Sequence, residues 1–263
     1  MTSDPMTSNR GHPVDRSLLD RALAGARLSA YPPGQYIGQE SFMRADEIRE
    51  LAWHAGIRPG ADVLDLCCGV AGPGRLIARE SGCRYLGVDA DPGAIEIARG
   101  RSDGLDCRFE MARVPPVPAG EHDVVLLLET MLAFADKAPL VAEIASVLGP
   151  SGRFACTAEE GAPLTEAERA AMPAADTVWP VRWRELAALL DENGLRVRWR
   201  REVTREHAET VDALIAAFES HRTAIAEVVG EPVIDELLVS HRIWSRWLRG
   251  GRIHKVALVA RRS

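Results

Sequence analysis

Four acidic residues stand where β-rich runs of the chain end, and their spacing points to one ligand site. ADVLDLC (61–67) places Asp65 just before the small-residue segment Cys67-Cys68-Gly69-Val70-Ala71-Gly72-Pro73-Gly74. CRYLGVDA (83–90) closes on Asp89 and Ala90, 24 residues after Asp65. LDCRFEM (105–111) closes on Glu110 and Met111, with Ala112 next, and HDVVLLLE (122–129) closes on Leu128 and Glu129. Small residues after a first strand let a ligand approach the backbone and let the next helix start beneath it. An acid at the end of the second strand is the expected acceptor for a ribose diol. Glu110 offers an acid for an exocyclic amine, and Met111 and Ala112 offer an apolar surface for a ring. Asp65 precedes the small residues, where it would repel a pyrophosphate and hold an ammonium group. An adenosine-containing ligand with a positively charged amino-acid end fits this pattern better than a dinucleotide.

Each of these residues also has a plainer reading. Asp65 and Asp89 could cap the helices that follow them, and Glu110 and Glu129 could be solvated or turn-capping carboxylates. Adjacent cysteines could suggest thiol or metal chemistry. Cys67 and Cys68 point to opposite sides of a strand with no third ligand in view, so they read as small packing residues and no metal site is expected.

The elements that must position these residues alternate strand and helix from about residue 57 onward, the mark of a parallel sheet covered by helices. Helical patterns run over 72–82, over 91–101 with Asp91 as N-cap and Pro92 in the first turn, and over 136–149, stopping at Gly149-Pro150. A fifth strand covers 151–159. Helix 179–194, strand 195–204, a helical stretch over 206–249 and a last strand over 252–260 follow. Some 45 helical residues between two late strands are too many for a connection and suggest a lid or an oligomer surface. Upstream, helices over 15–28 and 40–56 are joined by YPPGQYIGQ, and residues 1–14 read as an unstructured tail.

Composition narrows the class. The chain has 263 residues, 46% of them apolar, and 32 Lys+Arg against 38 Asp+Glu, a net charge of −6. That is enough apolar residue for a large core, and an acidic balance argues against binding a phosphate backbone. No run approaches the length of a membrane span, and no signal-peptide core opens the chain. Five cysteines without CxxC spacing fit reduced thiols in a cytoplasmic protein.

With these residues in view the chain resembles the class I S-adenosylmethionine-dependent methyltransferases, in the branch that modifies natural products and metabolites. VLDLCCGVAGPGRLIA resembles their first motif, YLGVDADP the second-strand acid, FEMARVPPVP the acid-Ala-x-x-x-Pro segment, and LVAEIASVLGPSGRFACT the helix and strand around a Pro-Gly-Gly turn. The resemblance implies an α/β, doubly wound, mostly parallel seven-stranded sheet. Residues 15–56 would form an N-terminal helical cap, 57–205 a Rossmann-like core, 206–250 a helical lid, and 251–263 the last strand. Asp65 and the Cys67–Gly69 backbone would hold the methionine end of S-adenosylmethionine, Asp89 the ribose, and Glu110, Met111 and Ala112 the adenine, with Ala90 and Leu128 alongside. Tyr31, Tyr36 and Phe42 would fold over the cofactor, and S-adenosylhomocysteine would be the product. Cys67 and Ala71 replace two of the family's glycines.

Leu132 and Ala133 stand where many relatives carry a His base, so candidates for proton handling are sought elsewhere: Tyr36, Glu129 and, among the lid histidines His207, His221 and His241, chiefly His241. The expected reaction is proximity-driven methyl transfer to O, N or C of a small, partly hydrophobic acceptor by a monomer or homodimer without nucleic-acid or membrane partners. Two alternatives stay open: a methyltransferase-like cyclase that uses the cofactor as scaffold, and a cofactor-sensing or partner-binding module.

Overall fold

A computed structural model describes residues 15–263, so the tail expected over residues 1–14 lies outside the described residues. The elements are α1 (Arg16–Ala30), α2 (Ala45–His54), β1 (Asp62–Leu66), α3 (Gly72–Ser81), β2 (Arg84–Asp89), α4 (Pro92–Gly100), β3 (Cys107–Met111), β4 (His122–Leu127), α5 (Ala138–Val147), β5 (Leu148–Glu160), α6 (Glu166–Ala171), α7 (Trp183–Glu192), β6 (Leu195–Glu202), α8 (Thr204–Ser220), α9 (Arg222–Val229), α10 (Glu231–Arg249) and β7 (His254–Arg262). The strands form one sheet in the order β3-β2-β1-β4-β5-β7-β6. β1 to β5 run parallel, and β7 inserts antiparallel between β5 and β6.

Local chemistry sets the boundaries. Asp91 caps α4 by accepting from the Gly93 N–H at 2.8 Å, with Pro92 in the first turn. α3 ends at Gly82 in the left-handed region, φ 68°. The break expected at Gly149-Pro150 falls elsewhere: α5 ends at Val147, and β5 begins at Leu148 and runs through Pro150. A register shift absorbs the extra residues, from His122↔Leu148 to Val124↔Arg153, so Pro150 sits where the β4 ladder is interrupted.

The two faces of the sheet bury separate cores. Val63, Tyr85 and Ile95 belong to one, Leu64, Val125 and Phe154 to the other. The stretch expected to be helical over 206–249 is three helices, broken at His221 and Gly230. Their apolar stripes close on α1: Leu23 and Ala26 share a cluster with Leu214, Phe218, Ile234 and Leu238. α1 and the three later helices therefore form one helical layer at the carboxyl ends of the parallel strands, whereas α2 packs on the sheet through Ile48 and Leu51.

Candidate active site

β1 and β4 are neighbours whose chain connections leave in opposite directions, which opens a crevice at their carboxyl ends. A cavity of about 1410 Å³ lies there. Its lining includes Asp65, the loop from Cys67 to Pro73, Asp89, Ala90, Leu128, Glu129 and Thr130 from the core, and Arg16, Arg27, Glu40 and Ser41 from the cap. Sequence reasoning thus named the core wall of the cavity, and for the cap wall named the right segment but other residues, Tyr31, Tyr36 and Phe42.

Asp65 is 3% exposed, and its Oδ2 accepts from the Tyr85 hydroxyl at 2.6 Å. Burial, with Asp89 adding to it, pushes its carboxyl up to about 7 despite that hydrogen bond. Asp89 accepts from the Gly69 N–H at 2.8 Å through Oδ2 and from the Asp91 N–H at 2.9 Å through Oδ1. It ties the loop to the end of β2, and each oxygen keeps a lone pair for a further donor. The loop turns through left-handed residues at Cys67 (φ 58°), Gly69 (φ 53°) and Ala71 (φ 54°). The two positions where the family's glycines are replaced thus retain glycine-like backbone, at about 1–2 kcal/mol each. Gly72 has no such substitution: a Cβ there would lie 2.6 Å from the Gly38 carbonyl carbon, because the segment joining α1 to α2 is pressed onto the loop.

The cysteines behave as packing residues. Burial pushes the Cys67 thiol up to about 12 and the Cys68 thiol higher still, far from thiolate chemistry. Among the described residues no cluster of three His, Cys, Asp or Glu could hold a metal ion.

At the other side of the crevice Glu129 also adopts a left-handed backbone, φ 59°, and its N–H donates to Thr157 Oγ1 at 2.6 Å. Its Oε2 accepts from Lys255 Nζ at 2.8 Å, while Oε1 is buried without a partner. Lys255 also donates to Glu159. His207 is fully buried behind them, its Nε2 3.4 Å from Glu47 Oε2 and its Nδ1 3.9 Å from Glu129 Oε2. Burial opposes the charge on Glu129, but Lys255 and His207 outweigh it and hold the carboxyl below its usual range. Burial likewise opposes the charge on Lys255, and its two carboxylates hold the ammonium above its usual range. Beyond Glu129 and His207, which the sequence analysis named, a Lys inside an otherwise apolar strand was the further signal for this cluster.

The remaining expected site residues stand apart from the cavity. Glu110 and Met111 face solvent, Met111 at 62% exposure, because β3 is an edge strand that turns only Phe109 inward. Ala112 donates its N–H to the Asp89 carbonyl at 2.9 Å and does not line the cavity. Tyr31 hydrogen-bonds the Ser41 carbonyl and packs on Tyr36 at 5.4 Å between ring centroids. Burial raises both phenols, away from the phenolate a base would need. Phe42 sits among His207, His241 and Trp244. His241 lies 2.8 Å from the Leu237 carbonyl through Nδ1, and burial pushes its imidazole down to about 4. These side chains support the lid rather than face the cavity.

Residues 63–152 match the methyltransferase domain family, and the seven-stranded sheet has the class I methyltransferase fold. Methyltransferase GfsG of Streptomyces halstedii is 33% identical over 105 residues, 38% of this chain and 38% of that protein. The chain matches between about a third and two-fifths of the length of the curated relatives it resembles first. The fold extends further: cyclopropane synthase MmaA2 from Mycobacterium tuberculosis superposes with a TM-score of 0.79 at 16% identity, over 93% of this chain and 94% of that one. The [4+2]-cyclase SpnF superposes with a TM-score of 0.71 at 16% identity, over 95% and 97%.

Proposed function

We propose that this chain binds S-adenosylmethionine in the crevice and transfers its methyl group to O, N or C of a small, partly hydrophobic metabolite or natural-product intermediate. One observation carries the reading: Asp65 and Asp89 flank a left-handed loop of small residues at the open end of the β1/β4 crevice. The lining suits a ligand that is positive at one end and rich in hydroxyl donors at the other. Its eight acids outnumber its four arginines. When bound, the cofactor supplies an intrinsically electrophilic methyl group.

In this reading the chain's residues position and exclude water. Asp89 takes the ribose hydroxyls and Asp65 the ammonium, with the Cys67–Gly69 backbone, Ala90 and Leu128 bounding the cofactor. The adenine side of the cavity is bounded by Ala90 and Arg113 rather than by Glu110 and Met111. Glu129 lines the acceptor side of the cavity and stays ionised, held by Lys255, so it acts on the acceptor through its charge rather than as a strong base. Alignment of this kind can supply on the order of 7–11 kcal/mol of the barrier, and the helical layer above keeps solvent out. The five free cysteines fit a reducing compartment, and we read the enzyme as a cytoplasmic monomer or homodimer.

Radiolabelled S-adenosylmethionine incubated with candidate acceptors tests the proposal: label in product is expected, and its absence across a broad panel with cofactor bound would refute methyl transfer. Cyclisation with cofactor as scaffold is the second reading, favoured by the lack of a strong base among the described cavity residues and by the likeness to a cyclase over nearly the whole chain. Product mass separates the two, since transfer adds one CH₂ unit and cyclisation adds nothing.

A further inference from the structure

The two outermost strands of the sheet, β3 and β6, each leave one side open to pairing, and they differ in charge. β6 exposes Arg196, Arg198 and Arg200, so any full pairing with a copy of itself would set arginines against arginines. β3 has no such guard. It is exposed at Arg108, Glu110 and Met111, the last two being strand-end residues that stand apart from the cavity. Among the described residues neither Arg108 nor Glu110 takes part in a side-chain hydrogen bond or salt bridge. The bonds from β3 to β2 use alternate residues: the Asp106 carbonyl accepts from the Tyr85 N–H at 2.9 Å, and the Ala112 N–H donates to the Asp89 carbonyl at 2.9 Å. Residues 107, 109 and 111 therefore turn their N–H and C=O groups outward. The Phe109 carbonyl accepts from Arg99 Nη2 of α4 at 2.6 Å and keeps a second lone pair. A groove of about 530 Å³ lies at this edge, lined by Arg99, Ser102, Asp103, Gly104 and residues 107–110.

We propose that the open edge of β3 pairs with the same edge of a second copy of this chain, centred on Phe109. Two-fold symmetry makes such a pairing antiparallel, each strand running back along the other. Charge then selects the register. A pairing centred on Arg108 or on Glu110 sets that charge against its own copy, which is unfavourable. Centred on Phe109, Arg108 stands opposite the partner's Glu110, and Glu110 opposite the partner's Arg108. In that register the outward groups of residues 107, 109 and 111 meet those of the partner's 111, 109 and 107, as an antiparallel ladder requires. Met111, 62% exposed in the single chain, comes beside the partner's Cys107 and is withdrawn from water. The two sheets become one, continuous through both copies.

Sedimentation equilibrium of the full chain tests this without cofactor or acceptor. The paired edge is short, so a dimer with Kd in the micromolar range is expected, populated by about 200 µM protein. Arg108→Glu and Glu110→Arg each create two like-charge pairs across the two-fold axis and should weaken the dimer about tenfold or more. The double exchange restores opposite charges and should recover the affinity to within about threefold. Thermal unfolding of dilute samples, unchanged in the variants, shows that they are folded. Hydrogen exchange gives a readout that needs no substitution: the amides of residues 107, 109 and 111 should exchange more slowly as the unaltered protein is concentrated. A monomer throughout the range, a dimer indifferent to the single reversals or not recovered in the double variant, or a dimer whose β3 amides exchange as in the monomer would each overturn the inference.

Discussion

Asp65 offers the sharpest test of how this site is built. A carboxyl raised from 3.8 to about 7 by burial is a cost to folding that depends on pH. The native state binds its proton more tightly than the unfolded chain does, so the folded form bears no penalty below about pH 4. It loses stability progressively as pH rises toward 7. About three pKa units at 1.36 kcal/mol each gives roughly 4 kcal/mol above pH 7. Asp65→Asn removes that cost while keeping an oxygen for the Tyr85 hydroxyl, but it buries an amide that must be satisfied, at about 1–3 kcal/mol. The variant is therefore expected to be more stable than the natural chain at pH 8 by about 1–3 kcal/mol, a rise in Tm of several degrees, and to lose the advantage by pH 5. Denaturant titrations of both proteins from pH 5 to 8 check this. Binding gives a second readout of opposite sign. If a ligand ammonium needs ionised Asp65, S-adenosylhomocysteine affinity should rise about tenfold from pH 6 to pH 8, as the competent fraction goes from roughly a tenth to nearly all. In Asp65→Asn the affinity should be weak and flat. A stability difference that does not vary with pH, together with a flat affinity in the natural protein, would refute the reasoning.

Lys255→Met would strand Glu129 and Glu159 without their shared cation, and a loss of about 3–5 kcal/mol is expected in denaturant unfolding; a change below about 1 kcal/mol would mean the pair is not buried as described. Cys67→Gly relieves a left-handed residue at some cost in chain entropy, so a net gain of about 0.5–1 kcal/mol is expected by the same measurement. Glu129→Gln should lower kcat by about 10–100-fold while leaving S-adenosylhomocysteine affinity within a factor of about two; unchanged turnover would remove Glu129 from the acceptor side. His241 is uncharged above about pH 4, so His241→Phe should leave no altered inflection in the pH–rate profile between about pH 5 and 8.

Much of this protein is legible from its sequence because local rules dominate where the chain alternates strand and helix. The run of apolar residues before Asp65, the cap at Asp91-Pro92 and the small residues from Cys67 to Gly74 each specify an element or a turn with no knowledge of distant contacts. The strand-end acids Asp65, Asp89 and Glu129 follow, since a parallel sheet delivers consecutive carboxyl ends to one side. Glu110 and Met111 show the limit: placing them at a strand end does not say that the strand is an edge facing solvent. The stretch over 206–249 was legible as helical but not as a single layer with α1, because periodicity shows that a face is apolar without naming its partner.

Spacing within some tens of residues sets the doubly wound core, the loop that approaches the ligand and the carboxylates beneath it. Only the tertiary structure decided which charges meet. Lys255 reaches Glu129 across 126 residues of chain and stands opposite Glu159 because β7 enters antiparallel beside β5 in a register that pairs those two positions. Arg16, Arg27 and Glu40 face the loop because α1 docks on the lid helices and Gly38 closes on Gly72. Such pairings depend on sheet register and helix docking, and those are settled by burying apolar surface over the whole molecule rather than by any local pattern of residues.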